Sequence, residues 1–219
     1  MSGCCGRDVV FDGVSAEYKR RLWMVIALNA GMFVIEMSAG HLAGSKALQA
    51  DALDFLGDAL TYGLSLAVIG AALRVRAGAA LVKAVSLFAM GFWVLGSTLY
   101  QVLAVGLPSA PVMGVIGVLA MAVNLTSVAL LVRFKDGDAN VRSVWLCSRN
   151  DAIGNVAVVL AAVAVWSTQS GWPDLIVAAL MATLFLNSAQ QILRQALGEW
   201  RSVDAQRIQI PSETEERAP

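Results

Sequence analysis

The sequence predicts an all-α protein that crosses a membrane six times, with both termini on the cytoplasmic side. Three observations carry this. Of 219 residues, 58% are hydrophobic and only 15% charged, against about 25% charged in an average soluble domain. Apolar runs of roughly 20 residues, the length that crosses a ~30 Å hydrocarbon layer, recur along the whole chain. Lys and Arg collect in alternate connections between those runs, as cytoplasmic loops require. The formal net charge is zero, so no nucleic-acid partner is implied. Cys4, Cys5 and Cys147 are too few and too scattered for a disulfide framework.

Residues 1–21 form a polar, cytoplasmic N-terminal tail. The first apolar run follows without a clean small-residue cleavage site, so it is expected to stay as a helix and not to be removed as a signal peptide. Span 1 runs from about Leu22 to Gly40 and carries Asn29 and Glu36. Span 2 runs from about Ala47 to Leu73. Span 3 runs from about Ala79 to Gly106, with Lys83 near its start. Pro108 and Pro111 bracket an uncharged turn. Span 4 covers about Val112 to Val132, with Asn124 inside. A polar loop around Lys135–Asp138 leads to span 5, which starts near 139–143 and ends near Trp166. Span 6 starts at Trp172, with Pro173 at an early position where its missing N–H is harmless. Gly198 is the expected helix stop. The six-helix region is thus 22–197, and 198–219 is a short cytoplasmic tail.

Orientation follows from the basic residues. The N-terminal tail, the span 2–3 and span 4–5 connections and the C-terminal end hold nearly all Lys and Arg; the other three connections hold only Lys46. Trp23, Trp145, Trp166, Trp172 and Trp200 sit near span ends, as interfacial aromatic belts do.

The chemistry gathers on spans 2 and 5. Asp51, Asp54 and Asp58 recur every three or four residues and form one acidic stripe. Each such charge costs about 2.5–3.5 kcal/mol at a helix centre, so the stripe needs a cation, protons or a partner. On span 5, Cys147, Asp151 and Asn155 share a face at spacings of four. Two helices that each present such a pair can converge four donors on one ion, in the tetrahedral manner zinc and its neighbours accept. Depth agrees: Asp54 and Asp58 lie roughly 10–17 Å from the outer end of span 2, and Asp151 roughly 12–18 Å from the inner end of span 5. Asp51 lies closer to the outer surface and is expected to shape the entrance or exit instead of ligating. Gly57 and Gly154, beside the acids, are expected to let the two helices approach closely. Glu36 shares a face with Asn29 and is expected to relay protons or pair with Arg149, although Arg149 itself should point away from Asp151 toward the cytoplasm. Asn29, Asn124 and Asn187 read as inter-helix hydrogen-bonding groups. His41 reads as peripheral. The fourth donor stays open between Cys147, Asn150, Asn155 and water, and Cys4–Cys5 is a weak candidate for metal capture.

The run from Gly40 through Asp54 to Asp58 resembles the second-helix motif of cation diffusion facilitators. So do Asn29 to Glu36 in span 1 and Asp151 to Val158 in span 5. The resemblance implies export of divalent metal from the cytoplasm in exchange for protons. It implies a transport site of Asp54 and Asp58 with Cys147 and Asp151, although the family most often places His where Cys147 stands. It implies no permanently bound cofactor: the metal is cargo, zinc first, with cadmium, cobalt, iron or manganese as alternatives. The implied partners are the lipid bilayer, metal ions and protons, in a multi-pass protein of the bacterial cytoplasmic membrane. The family usually adds a cytoplasmic domain that binds metal and dimerises; about twenty residues after span 6 are too few for one, and a homodimer stays open. No hydrolase-type motif is present, so an enzyme is not expected. The rival reading is a non-transporting membrane subunit that uses the same acids for metal-dependent assembly or sensing.

Overall fold

The computed structural model describes residues 15–68, 71, 73–103, 106–135 and 139–209, with the side chains of 73, 139–147, 199 and 201–209 excepted. Six helices fill this range: α1 (Ala16–Ala43), α2 (Lys46–Ala67), α3 (Leu73–Leu103), α4 (Ala110–Leu131), α5 (Ala139–Thr168) and α6 (Trp172–Gln209), with a 3₁₀ turn at Val132–Phe134. Five carry a stretch long and apolar enough to cross a membrane. The sixth, α2, has 22 residues and so is about 33 Å long; the acids on it lower its hydropathy, not its reach.

The burial pattern explains why these helices assemble. On α1 the buried residues are Tyr18, Leu22, Val25, Asn29, Met32, Glu36, Gly40 and Ala43, spaced by three or four and so on one face. On α4 they are Met113, Gly117, Ala120, Asn124, Ser127 and Leu131. Both stripes hold polar side chains inside, while Trp23, Val34, Leu42, Leu125 and Val115 face outward. An apolar exterior around a partly polar interior is the arrangement lipid demands. Trp166 and Trp172 are also exposed, near the ends of α5 and α6, in keeping with an interfacial belt.

Helices α1, α2, α4 and α5 form one packed group, and α3 pairs with α6 beside α2. Glycine permits three of the closest approaches. A Cβ on Gly40 would lie 2.9 Å from Leu48 Cβ, one on Gly91 2.9 Å from Leu186, and one on Gly117 3.1 Å from Val159 Cγ2. The glycines expected to do this between spans 2 and 5 do not. Gly57 faces Leu87 and Met90 of α3, and Gly154 has open space beside it. Neighbours on a helix are about 100° apart, so a residue next to an acid faces another way.

One end of the bundle is knitted from the α1–α2, α3–α4 and α5–α6 connections. Gly44 closes α1 at φ 67°, a conformation that favours glycine, and Ser45 caps α2 by accepting from Leu48 N at 3.1 Å. Ser109 N donates to Ala43 O at 2.9 Å, and Gln101 reaches Gly44 O at 3.3 Å. Asp174 of α6 accepts from Ser45 Oγ at 2.6 Å, Lys46 N at 2.7 Å and Ala47 N at 3.0 Å, satisfying the free N–H groups at the start of α2. At the opposite end Arg21 donates to Leu130 O at 3.0 Å, and Arg74 stacks over Trp200.

Four boundaries differ from expectation by more than one turn. Helix α1 begins at Ala16, six residues before Leu22 and inside the stretch expected as polar tail, where Ser15 caps it by accepting from Tyr18 N. Helix α2 ends at Ala67 and α3 begins at Leu73, earlier than the apolar runs indicate. Helix α6 continues through Gly198 to Gln209; one glycine costs a helix only about 1 kcal/mol, and Trp200 just beyond it lies under Arg74 of α3. Cys4, Cys5 and Asp136–Asp138 lie outside the described residues.

Candidate metal centre

Asp54 and Asp58 project from one face of α2, separated by one turn. Asp151 projects from α5 between them, within hydrogen-bonding range of both carboxyl groups. All three are only partly covered, so an ion could reach them. The convergence expected from spacing and depth is therefore present for these three residues. Among the described residues no three His, Cys, Asp or Glu side chains close on a single metal-sized point; Asp151 bridges the two acids of α2 instead. A carboxylate only accepts hydrogen bonds, so groups facing each other this way need a proton or a cation between them. Cys147 belongs to α5, but its side chain lies outside the described residues. Asn150 is exposed and accepts from Arg149 at 3.3 Å, whereas Asn155 is fully buried.

Two neighbours of Asp58 went unread in the sequence. Tyr62 donates a short hydrogen bond to Asp58 Oδ2. Its single proton is then committed, so Ser148 of α5, 3.3 Å away, donates to Tyr62. This chain ties α2 to α5 on the Ala67 side of the acids. Tyr62 lies four residues after Asp58, so helical register could have found it. The other neighbour is Lys83 of α3, whose charge acts on Asp58. It lines a cavity of about 110 Å³ between α2 and α3, with Gly57, Thr61 and Ser86. Nothing in the spacing of α2 and α3 announces that contact.

Glu36 departs from expectation in its partner. Asp51, nearer the start of α2 than Asp54, is buried, and its carboxyl faces that of Glu36 on α1. Glu36 therefore meets another acid and not Arg149, which is exposed on α5. Asn29 and Asn124 are buried as expected, Asn187 is exposed, and His41 is exposed at the end of α1.

Against this geometry stand the comparisons with known proteins. Residues 22–199 match the family model described as the cation efflux transmembrane domain. The chain belongs to the cation efflux family. Its relatives include the metal cation efflux system protein CzcD of Cupriavidus metallidurans, 25% identical over 191 residues, covering 82% of this chain and 60% of the relative. The zinc transporter ZitB of Escherichia coli is 27% identical over 196 residues, covering 82% and 62%. A cadmium, cobalt and zinc/H(+)-K(+) antiporter of Bacillus subtilis is 23% identical over 193 residues, with the same shares. The chain thus spans about 60% of the length of these cation efflux relatives. The match takes in Asp54, Asp58, Cys147 and Asp151, and the apolar helices make this member of the family a multi-pass membrane protein.

Proposed function

We propose that the protein exports a divalent transition metal, zinc first, from the cytoplasm by proton antiport. The observation that carries this is the meeting of Asp151 on α5 with Asp54 and Asp58 on α2 near the middle of the bundle. An acid held within a membrane is functional by default, and three from two helices provide anionic donors for a cation. Cys147 is the proposed fourth donor, one turn from Asp151 on the same face of α5. The names of the relatives, a metal efflux protein, a zinc transporter and an antiporter for cadmium, cobalt and zinc, support the same cargo class. Their bacterial origin supports the bacterial cytoplasmic membrane. The Lys/Arg distribution supports cytoplasmic termini.

The chain's own groups suggest the sequence of events. Metal enters from the cytoplasmic side; the cavity between α2 and α3, lined by Lys83 with Gly57 and Thr61 on either side of Asp58 in the chain, supports a route there. Metal needs deprotonated donors, so its binding expels protons from the carboxyl groups. Tyr62 and Ser148 hold Asp58 in position. Outward access lets external protons take the carboxylates and displace the ion, so an inward proton gradient drives metal out.

Sealed vesicles containing the purified chain test this. Zn²⁺ added at the cytoplasmic face should enter the vesicle interior while protons move the other way, and Asp58→Ala or Asp151→Ala should silence both fluxes while leaving the protein in the membrane. Metal flux without proton movement would overturn antiport. Binding without flux would leave the non-transporting subunit.

A further inference from the structure

Glu36 is completely buried, and neither of its carboxyl oxygens receives a hydrogen bond. Its carboxyl faces that of Asp51 at hydrogen-bonding range, with the charge of Asp54 farther off. Asp51 is buried too, and its Oδ2 has no donor. Two acids in this state are expensive in a membrane interior, and the mechanism above does not use them.

An independent observation points the same way. Asn155 of α5 is completely buried, and neither its amide oxygen nor its amide nitrogen has a partner among the described residues. It follows Asp151 by four, so it projects from the face of α5 that meets α2. Helix α5 runs outward and α2 inward. Asn155 is therefore about 6 Å outward of Asp151, and Asp51 about 4.5 Å outward of Asp54. Glu36, Asp51 and Asn155 share a level, one turn beyond the Asp54–Asp58–Asp151 set.

We propose that Glu36, Asp51 and the Asn155 amide oxygen form a second site for a divalent cation, which the exported metal occupies on its way out. This rests on the efflux reading only for its direction. Two carboxylates neutralise one divalent ion, and an all-oxygen set suits harder ions than a site containing a thiolate. Fewer anionic donors than the inner set makes it the weaker of the two, as a station for release requires.

The test is Mn²⁺ binding to the full chain in lipid nanodiscs, read as loss of the free-ion paramagnetic resonance signal. Mn²⁺ suits oxygen donors and discriminates against thiolates. Asp58→Asn with Asp151→Asn should leave one saturable class of Mn²⁺ sites, and adding Glu36→Gln should weaken it at least about tenfold. Asp51→Asn in the same background should do likewise, which covers the case in which the Glu36 variant does not fold. Absence of Mn²⁺ binding once Asp58 and Asp151 are changed, with binding present in the wild type, overturns the second site. So does binding that survives Glu36→Gln or Asp51→Asn unchanged. Zn²⁺ flux in vesicles judges the efflux reading separately: a wild-type chain that moves no Zn²⁺ yet keeps the Glu36-dependent Mn²⁺ class refutes export and retains the site.

Discussion

Tyr62 is the residue at which support and ligation separate. It does not belong to the proposed donor set, yet its hydroxyl holds Asp58 and takes a hydrogen bond from Ser148. Tyr62→Phe removes both contacts and keeps the ring. A hydrogen bond to a charged group is worth about 1.5–3 kcal/mol, so Zn²⁺ uptake should fall about tenfold or more while the protein still reaches the membrane. Uptake at the wild-type rate would show that Asp58 needs no second residue to place it. Metal choice should turn on Cys147. Replacement by His supplies nitrogen, which zinc accepts, and replacement by Asp gives an all-oxygen set suited to manganese or cobalt. Competition uptake among these metals checks the shift, and unchanged preference in both variants would make Cys147 a packing residue. The asymmetry in what could be read at this scale is instructive. Asp54, Asp58 and Asp151 were legible because intramembrane acids are costly and their spacing fixes a face. Tyr62 follows the same spacing but carries no such cost, and so drew no notice.

Helices were legible in number and register because apolar runs of spanning length leave little choice. Their contacts were not. A glycine next to an acid looks like a place for two helices to touch, but whether it does depends on which neighbour lies 100° around, and Gly57 meets α3. The glycines that do set close approaches, Gly91 and Gly117, stand in apolar runs with nothing to mark them. This contrast can be measured. Gly117→Leu should cost about 1–3 kcal/mol by overpacking against Val159, and Gly91→Leu should act similarly between α3 and α6. Gly154→Ala meets only open space and should gain about 0.5–1 kcal/mol from helix propensity. Thermal unfolding in detergent ranks the three, and a destabilised Gly154→Ala would restore the part in helix packing that the structure denies to Gly154. The run of α6 past Gly198 was illegible for a similar reason, because the Arg74–Trp200 contact made there needs two helices to meet.

For the whole molecule, the pairing of connections sorts the helix ends into two sets. Single cysteines at Ser109 and Ser170 should react with a membrane-impermeant reagent from outside, and one at Lys135 only from the cytoplasmic side. Labelling of Ser109 from the cytoplasm would invert the proposed topology and, with it, the proposed direction of export. The Asp174 carboxylate adds a mechanical constraint. It bolts the Ser45 end of α2 to α6 at three atoms, while the Ala67 end is held by the packing of Tyr62 and Leu66 against α1 and α4 and by the Tyr62–Ser148 hydrogen bond to α5. A rod bolted at one end and packed at the other turns about the bolted end when it moves. With a lever arm of about 33 Å, a swing of about 10° displaces the tip by about 6 Å while the bolted end stays put. The stroke of such a door is largest at its Ala67 edge, which the proposed topology places at the cytoplasm, so a cross-link from Ser45 to Asp174 should leave the door free to swing, and one between Leu64 and Val82 should lock it shut.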